Sequence, residues 1–245
     1  MKIEVMYPEI CNLYGELANI SYLGRCIPEA EIIETGINDE PSFVSEKPDL
    51  IYMGSTTEEG QSIAIEKLAP FKERIQELID DGANFLITGN ALEIFGSEII
   101  EDDKHYCDCL GIFPFVTKRS SIYRFNCLYL ADFDPGDGEA DIKIVGFKSQ
   151  FGHSYGDNSD CYLFTTEKGA GLNPDNLKEG IRVNNFYATY VIGPLLILNP
   201  PFLKWYMRTH LGIANPQIVF EDAAMDVYNR RLSEYSEPDR GTYYL

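Results

Sequence analysis

Short apolar segments of strand length alternate with amphipathic helical stretches through the first half of the chain. Two of these segments, residues 49–53 and 84–88, stop at glycine, Gly54 and Gly89. Residues 2–7 and 30–34 are the other two. Between them Leu17, Ile20, Leu23 and Ile27 recur at helical spacing, with Asn12 expected to cap the entry. Residues 61–81 carry Ile65, Leu68, Ile75 and Leu78 on one side, and Pro70 is expected to begin a second helix rather than interrupt one. Strands joined by helices need crossover connections, so they pair in parallel with both faces covered. The expectation is an α/β fold around a mainly parallel sheet. Ligands of such sheets gather at the carboxyl ends of the strands, which brings residues 8–14, 54–61 and 89–93 together.

The second half has a different texture. Residues 106–190 read as short β segments separated by turns, such as 132–138 and 152–160, and are expected to form hairpins added to the sheet or packed beside it. Two helices follow, over 199–211 and 216–235, with Pro200 and Pro201 tolerable in a first turn. No linker separates the halves, so residues 1–235 are expected to form a single domain and 236–245 a loose tail.

Composition narrows the function classes. With 20 Lys+Arg against 39 Asp+Glu the net charge is −19, a surface that nucleic-acid phosphates would repel. No apolar run approaches the roughly 18 residues of a membrane span, and the start of the chain lacks the basic and apolar regions of a secretion signal. The cysteines at 11, 26, 107, 109, 127 and 161 are therefore expected as reduced thiols of a cytoplasmic protein.

Residues 85–93, Phe-Leu-Ile-Thr-Gly-Asn-Ala-Leu-Glu, have the layout of a nucleophile elbow, a strand turning sharply into a helix. A catalytic elbow carries Cys or Ser at the turn and is served by a distant His. Here the turn residue is Gly89.

Asn12-Leu13-Tyr14 with Asn19-Ile20, Asp49 through Gly54 to Gln61, Gly146-Phe147 with Tyr155, and Thr189-Tyr190 with Gly193-Pro194 form an ordered set of landmarks. As a set they resemble class I glutamine amidotransferases of the cobyric-acid-synthase type, nearest to the branch of the bacterial lipid II isoglutaminyl synthase glutaminase subunit, over roughly residues 1–215. The resemblance implies a flavodoxin-like three-layer α/β/α fold. It also implies a cysteine thiolate that attacks the glutamine amide, a histidine that shuttles the proton, and ammonia passed to an ATP-dependent Mur-ligase-like partner synthetase.

Carried over by position, the nucleophile falls on Gly89 and the base on Ile192, so neither catalytic residue is intact. The oxyanion loop, consecutive glycines in the family, reads Gly54-Ser55-Thr56 here, and a Glu-Asn-His segment of the lipid II branch becomes Lys148-Ser149-Gln150. The resemblance leaves Gly54, Ser55, Gln61, Asn90, Arg124 and Gln150 as ligand-binding residues, Arg124 facing the glutamine carboxylate. They would hold a small amide or carboxylate.

Three functions compete on this reading. One is a binding or partner subunit with a degenerate glutaminase site and no cofactor. The second is an active glutaminase using Cys11, a thiol at the ligand edge. The third is a metal module on His105, Cys107 and Cys109, which share a face if the segment is a regular strand. The usual reading of such residues is plainer: structural thiols without a metal, His153 in a loop, His210 a cation at a helix end, and residues 134–139 a turn without calcium-loop spacing.

Overall fold

In a computed structural model, residues 1–136, 138–237 and the backbone of 242–244 are described. The first half runs β1 (Lys2–Met6), α1 (Ala18–Cys26), β2 (Glu31–Thr35), β3 (Leu50–Met53), α2 (Glu58–Leu68), α3 (Lys72–Asp80) and β4 (Phe85–Thr88). Next come β5 (Glu98–Glu101), β6 (Lys104–Asp108), β7 (Val116–Arg119), β8 (Phe125–Phe133), β9 (Ile142–Gln150), β10 (Gly152–Tyr155) and β11 (Phe164–Lys168). The remainder is β12 (Lys178–Glu179), β13 (Ile181–Val183), β14 (Phe186–Thr189), α4 (Leu195–Leu198), α5 (Pro200–Thr209), α6 (Glu221–Tyr235) and β15 (Thr242–Tyr244).

The central sheet has the order β13-β14-β4-β3-β1-β2, parallel throughout except for the β13–β14 hairpin. All four residues of β3 and of β4 are buried, as expected of parallel strands covered on both faces. Alternate side chains serve the two faces. Ile51, Met53, Phe85 and Ile87 pack with Ile65 and Leu68 of α2 and Ile75 and Leu78 of α3. Leu50, Tyr52 and Leu86 pack with Ile20 and Leu23 of α1 and Phe202, Trp205 and Tyr206 of α5. The fold is the flavodoxin-like three-layer α/β/α arrangement.

The hairpins of the second half build two further sheets, β10-β7-β5-β6 and β12-β11-β8-β15 with β9 paired to β8, while β13 and β14 join the central one. The register Met53↔Ile87 sets Gly54 and Gly89 at the same carboxyl edge, on neighbouring strands. Register Thr189↔Thr88 brings the segment after β14, which contains Ile192, to that edge as well.

Several expected boundaries move for local reasons. Asn12 precedes only a 3-10 turn, Leu13–Gly15, that its side chain does not cap: Tyr14 and Gly15 are left-handed, φ 62° and 74°, and Asn12 Oδ1 instead accepts Leu17 N–H at 3.0 Å, ahead of α1. The second helix begins at Glu58 rather than Gln61, because Thr57 Oγ1 caps it by accepting Gly60 N–H at 3.1 Å. Asn199 stays outside α5 with its side chain bonded to both Val145 N and O. The last helix starts at Glu221, not 216, since Phe220 has φ 56°. Within the expected tail, Thr242–Tyr244 pairs antiparallel with β8, and residues 238–241 and 245 lie outside the described residues. Among the described residues no helix is long and apolar enough to cross a membrane.

Candidate functional site

At the carboxyl edge, β4 ends in Thr88 and the chain reverses through Gly89 at φ +66° into a short 3-10 helix, residues Gly89–Phe95. This left-handed turn directly ahead of a helix is elbow geometry. Ser55 closes it. A Cβ at residue 89 would overlap the Ser55 Cβ and stand 3.2 Å from both its Cα and its Oγ. Ser55 Oγ donates to Leu13 O at 2.8 Å, and Leu13 N–H donates back to Ser55 O at 2.9 Å. Thr56 is likewise engaged: its N–H donates to Asn90 Oδ1 and its carbonyl accepts from Asn90 Nδ2, both at 2.9 Å. The Thr56 amide, which stands where an oxyanion donor is expected, is thus already bonded to a side chain.

Gly89, Ser55, Asn90, Arg124, Gln150 and Ile192 converge on one small cavity with a free volume of about 10 Å³, barely enough for one water molecule. Tyr14 helps close it, its hydroxyl accepting from Arg124 Nη1 at 2.6 Å and lying 3.0 Å from Ser149 Oγ. Arg124 also lies over the Phe151 ring, 4.4 Å from its centre. Gln150 Oε1 is buried on this wall with no hydrogen-bond partner among the described residues. Ile192 is buried and bridges to Phe147 through both of its backbone groups, at 2.9 and 3.1 Å.

The family profile of CobB/CobQ-like glutamine amidotransferase domains matches residues 2–198. The chain belongs to that family. Two curated relatives are named "Lipid II isoglutaminyl synthase (glutamine-hydrolyzing) subunit GatD". The Staphylococcus aureus protein is 27% identical over 192 residues, 77% of this chain and 75% of its own length. The Streptococcus pneumoniae protein is 22% identical over 240 residues, 97% and 91%. Solved neighbours agree in fold: PurLQS from Thermotoga maritima at TM-score 0.52 and 14% identity, covering 96% of this chain and 99% of that one. A glutamine amidotransferase from the same organism follows at TM-score 0.51 and 8% identity, covering 96% and 91%.

Two residues expected to bind ligand stand behind the amidotransferase cavity rather than on it. Gly54 is packed against Cys11 O and the Glu16 side chain, where a Cβ would stand 2.7 and 3.1 Å away. Gln61 is fully buried; its amide donates to Asn90 O at 2.9 Å and Glu93 Oε2 at 2.8 Å, and its Oε1 accepts from Arg119 Nη1 at 3.0 Å. Gln61 therefore braces the elbow helix. Tyr190 OH completes the cluster, donating to Glu93 Oε1 at 3.0 Å.

Burial pushes the Glu93 carboxyl up from 4.5 to about 7, against the lowering effect of Gln61, Tyr190 and Arg119. The folded state then holds a proton that the unfolded chain releases above pH 4.5. This contribution is complete below 4.5 and is lost as pH rises through 7. Urea midpoints measured at pH 5 and 7.5 should fall less in Glu93→Gln than in the parent; equal slopes would remove Glu93 from the account.

The remaining candidates are dispersed. Cys11 is completely buried, and burial pushes its thiol up to about 12, the opposite of what a nucleophile needs. The expected face of His105, Cys107 and Cys109 does not form, because a bulge opposite Ile99 and Ile100 inserts Tyr106 as an extra residue. His105 turns to Asp108 and Glu98 at 3.3 and 3.9 Å, whereas Cys107 and Cys109 pack against the core. No group of three metal-ligating side chains occurs among the described residues. His153 lies in β10 rather than in a loop, and His210, expected as a helix-end cation, is neutral: both are half-buried, and burial lowers each to about 4. Tyr14, Ser149 and Phe151 belong to the cavity and were not among the residues expected to bind ligand; Tyr14 and Ser149 stood only in the compared segments Asn12-Leu13-Tyr14 and Lys148-Ser149-Gln150.

Proposed function

We propose that this family member is a partner or binding subunit whose glutaminase site is degenerate, with Gly89 in the place of the nucleophile and Ile192 in that of the base. One observation carries the reading: the Ser55 side chain fills the volume into which a nucleophile at the elbow would project. Glycine offers no nucleophile and isoleucine accepts no proton, and losing either member of such a pair removes most of the rate enhancement. The buried acceptor Gln150 Oε1 and the Arg124 guanidinium suit a small amide or carboxylate, which would have to displace Tyr14 to enter. By analogy with the curated relatives, the companion is an ATP-dependent Mur-ligase-like synthetase that amidates a cell-wall precursor. Residues 1–235 act as one domain; α6 docks on β8 and β9 through Tyr228, whose hydroxyl donates to Lys143 O at 2.8 Å.

The test is ammonia release from glutamine by the purified protein, alone and with such a synthetase. No release above background is expected, and Cys11→Ala should change nothing. Robust activity abolished by Cys11→Ala would establish the alternative, an active glutaminase with a relocated nucleophile. The triple variant Gly89→Cys, Ser55→Gly, Ile192→His is expected to regain a trace of activity that Gly89→Cys alone lacks.

A further inference from the structure

Beside the closed cavity, and sharing only Arg124 and Phe151 with it, lies an open cleft of about 660 Å³. Its floor is the outer face of the small sheet, where register places Ile100, Lys118 and His153 in one row across β5, β7 and β10. Tyr123, Phe125 and Phe151 supply aromatic walls. The size and largely apolar lining are those of a small-molecule site. Two of its cations are uncompensated. In a chain of net charge −19, neither Lys118 nor Arg124 has a carboxylate at ion-pair distance among the described residues. Lys118 Nζ lies 5.3 Å from the centre of the Tyr155 ring, and Arg124 donates to the neutral Tyr14 hydroxyl and lies over the Phe151 ring.

The other charged lining groups are occupied or opposed. Arg119 is held by Glu101 at 2.7 Å and Asp102 accepts from Ser121 N–H and Oγ; Asp103 is the other acid that lines the cleft among the described residues. His153 Nδ1 lies 3.3 Å from Gln150 Nε2, whose orientation is fixed by its 2.6 Å bond to Gly152 O, so the ring proton belongs on Nε2 as a further donor. Phe125 meets the same ring edge-on at 5.1 Å.

We propose that this cleft binds a small anionic ligand with a flat apolar body, its carboxylate or phosphate held between Lys118 and Arg124 and its body against Phe151 and Phe125. The site is independent of whether the elbow is inert, since it needs neither Gly89 nor Ile192.

The probe is 1-anilinonaphthalene-8-sulfonate, followed by fluorescence on the intact protein. Saturable binding of one equivalent is expected, weakened about tenfold or more in Lys118→Glu by loss of a charge-assisted contact and gain of repulsion. Lys118→Arg, a substitution on an exposed position, should stay within about twofold of the parent. Displacement by phenyl phosphate at lower concentration than benzoate would identify phosphate as the recognised group, and the reverse order a carboxylate. Unsaturable binding, equal affinity in Lys118→Glu, or displacement by neither competitor would overturn the proposal. A glutaminase assay is untouched by any of these outcomes, so the two proposals fail separately.

Discussion

Lys148→Ala is expected to lower folding stability by about 3–5 kcal/mol, because it strands the Glu179 carboxylate in a fully buried site. Lys148 Nζ donates to Glu179 Oε2 at 2.5 Å and to Gly171 O at 2.8 Å, and both side chains have no solvent exposure. Glu179 Oε1 in turn accepts from Thr189 Oγ1 at 2.9 Å and Tyr190 N–H at 2.7 Å, so the pair pins the segment that delivers Ile192 to the cavity. A chain of this size should melt roughly 6–20 °C lower. Lys148→Met with Glu179→Gln should recover much of the loss, since an amide oxygen in the place of Oε1 still accepts from both Thr189 Oγ1 and Tyr190 N–H and no charge is left buried. Calorimetry on the single and double variants decides it: a shift below about 2 °C in Lys148→Ala would refute the buried pair's role.

Gly89→Cys should be the second largest effect. A side chain at φ +66° costs about 1–2 kcal/mol in backbone strain, and forcing its Cβ against Ser55 adds about 1–3 kcal/mol of overpacking. The expected total is roughly 2–5 kcal/mol. Ser55→Gly on its own loses the 2.8 Å bond to Leu13 O, worth about 1 kcal/mol. Combined, the two changes should destabilise by less than their sum, with a coupling of about 1–3 kcal/mol in a double-mutant cycle. Additive values would mean that Ser55 and the elbow side chain do not compete for one volume.

The central sheet was legible because each of its first four strands is a short apolar run ended by a loop or glycine, a pattern that depends on neighbours in sequence. The role of β14 was not, since nothing local in Phe186–Thr189 tells a strand of the main sheet from one of a satellite hairpin. The site shows the same division. Gly89 and Ile192, paired by position in the sequence, line one cavity, and four of the six expected ligand-binding residues line it with them. Gln61 misled because a glutamine at the ligand edge reads the same whether its amide faces a ligand or Glu93. The metal reading assumed a regular alternation from His105 to Cys109, and a bulge at Tyr106 cannot be seen without the partner strand. Ser55 against Gly89 is a contact between residues 34 positions apart, outside the reach of any periodicity.

That contact also constrains how the chain can change by descent. Moving a side chain from one side of the Ser55–Gly89 contact to the other takes two substitutions, and each order passes through an unfavourable ancestor. One intermediate carries side chains at both positions and is overfilled; the other carries neither and adds a void beside an already glycine-rich Gly54–Ser55 turn. With Thr56 and Asn90 bonded across the same edge, the handicap is not relieved by shifting the loop. The exchange therefore behaves as a ratchet: an elbow side chain is not gained here by any single mutation without penalty.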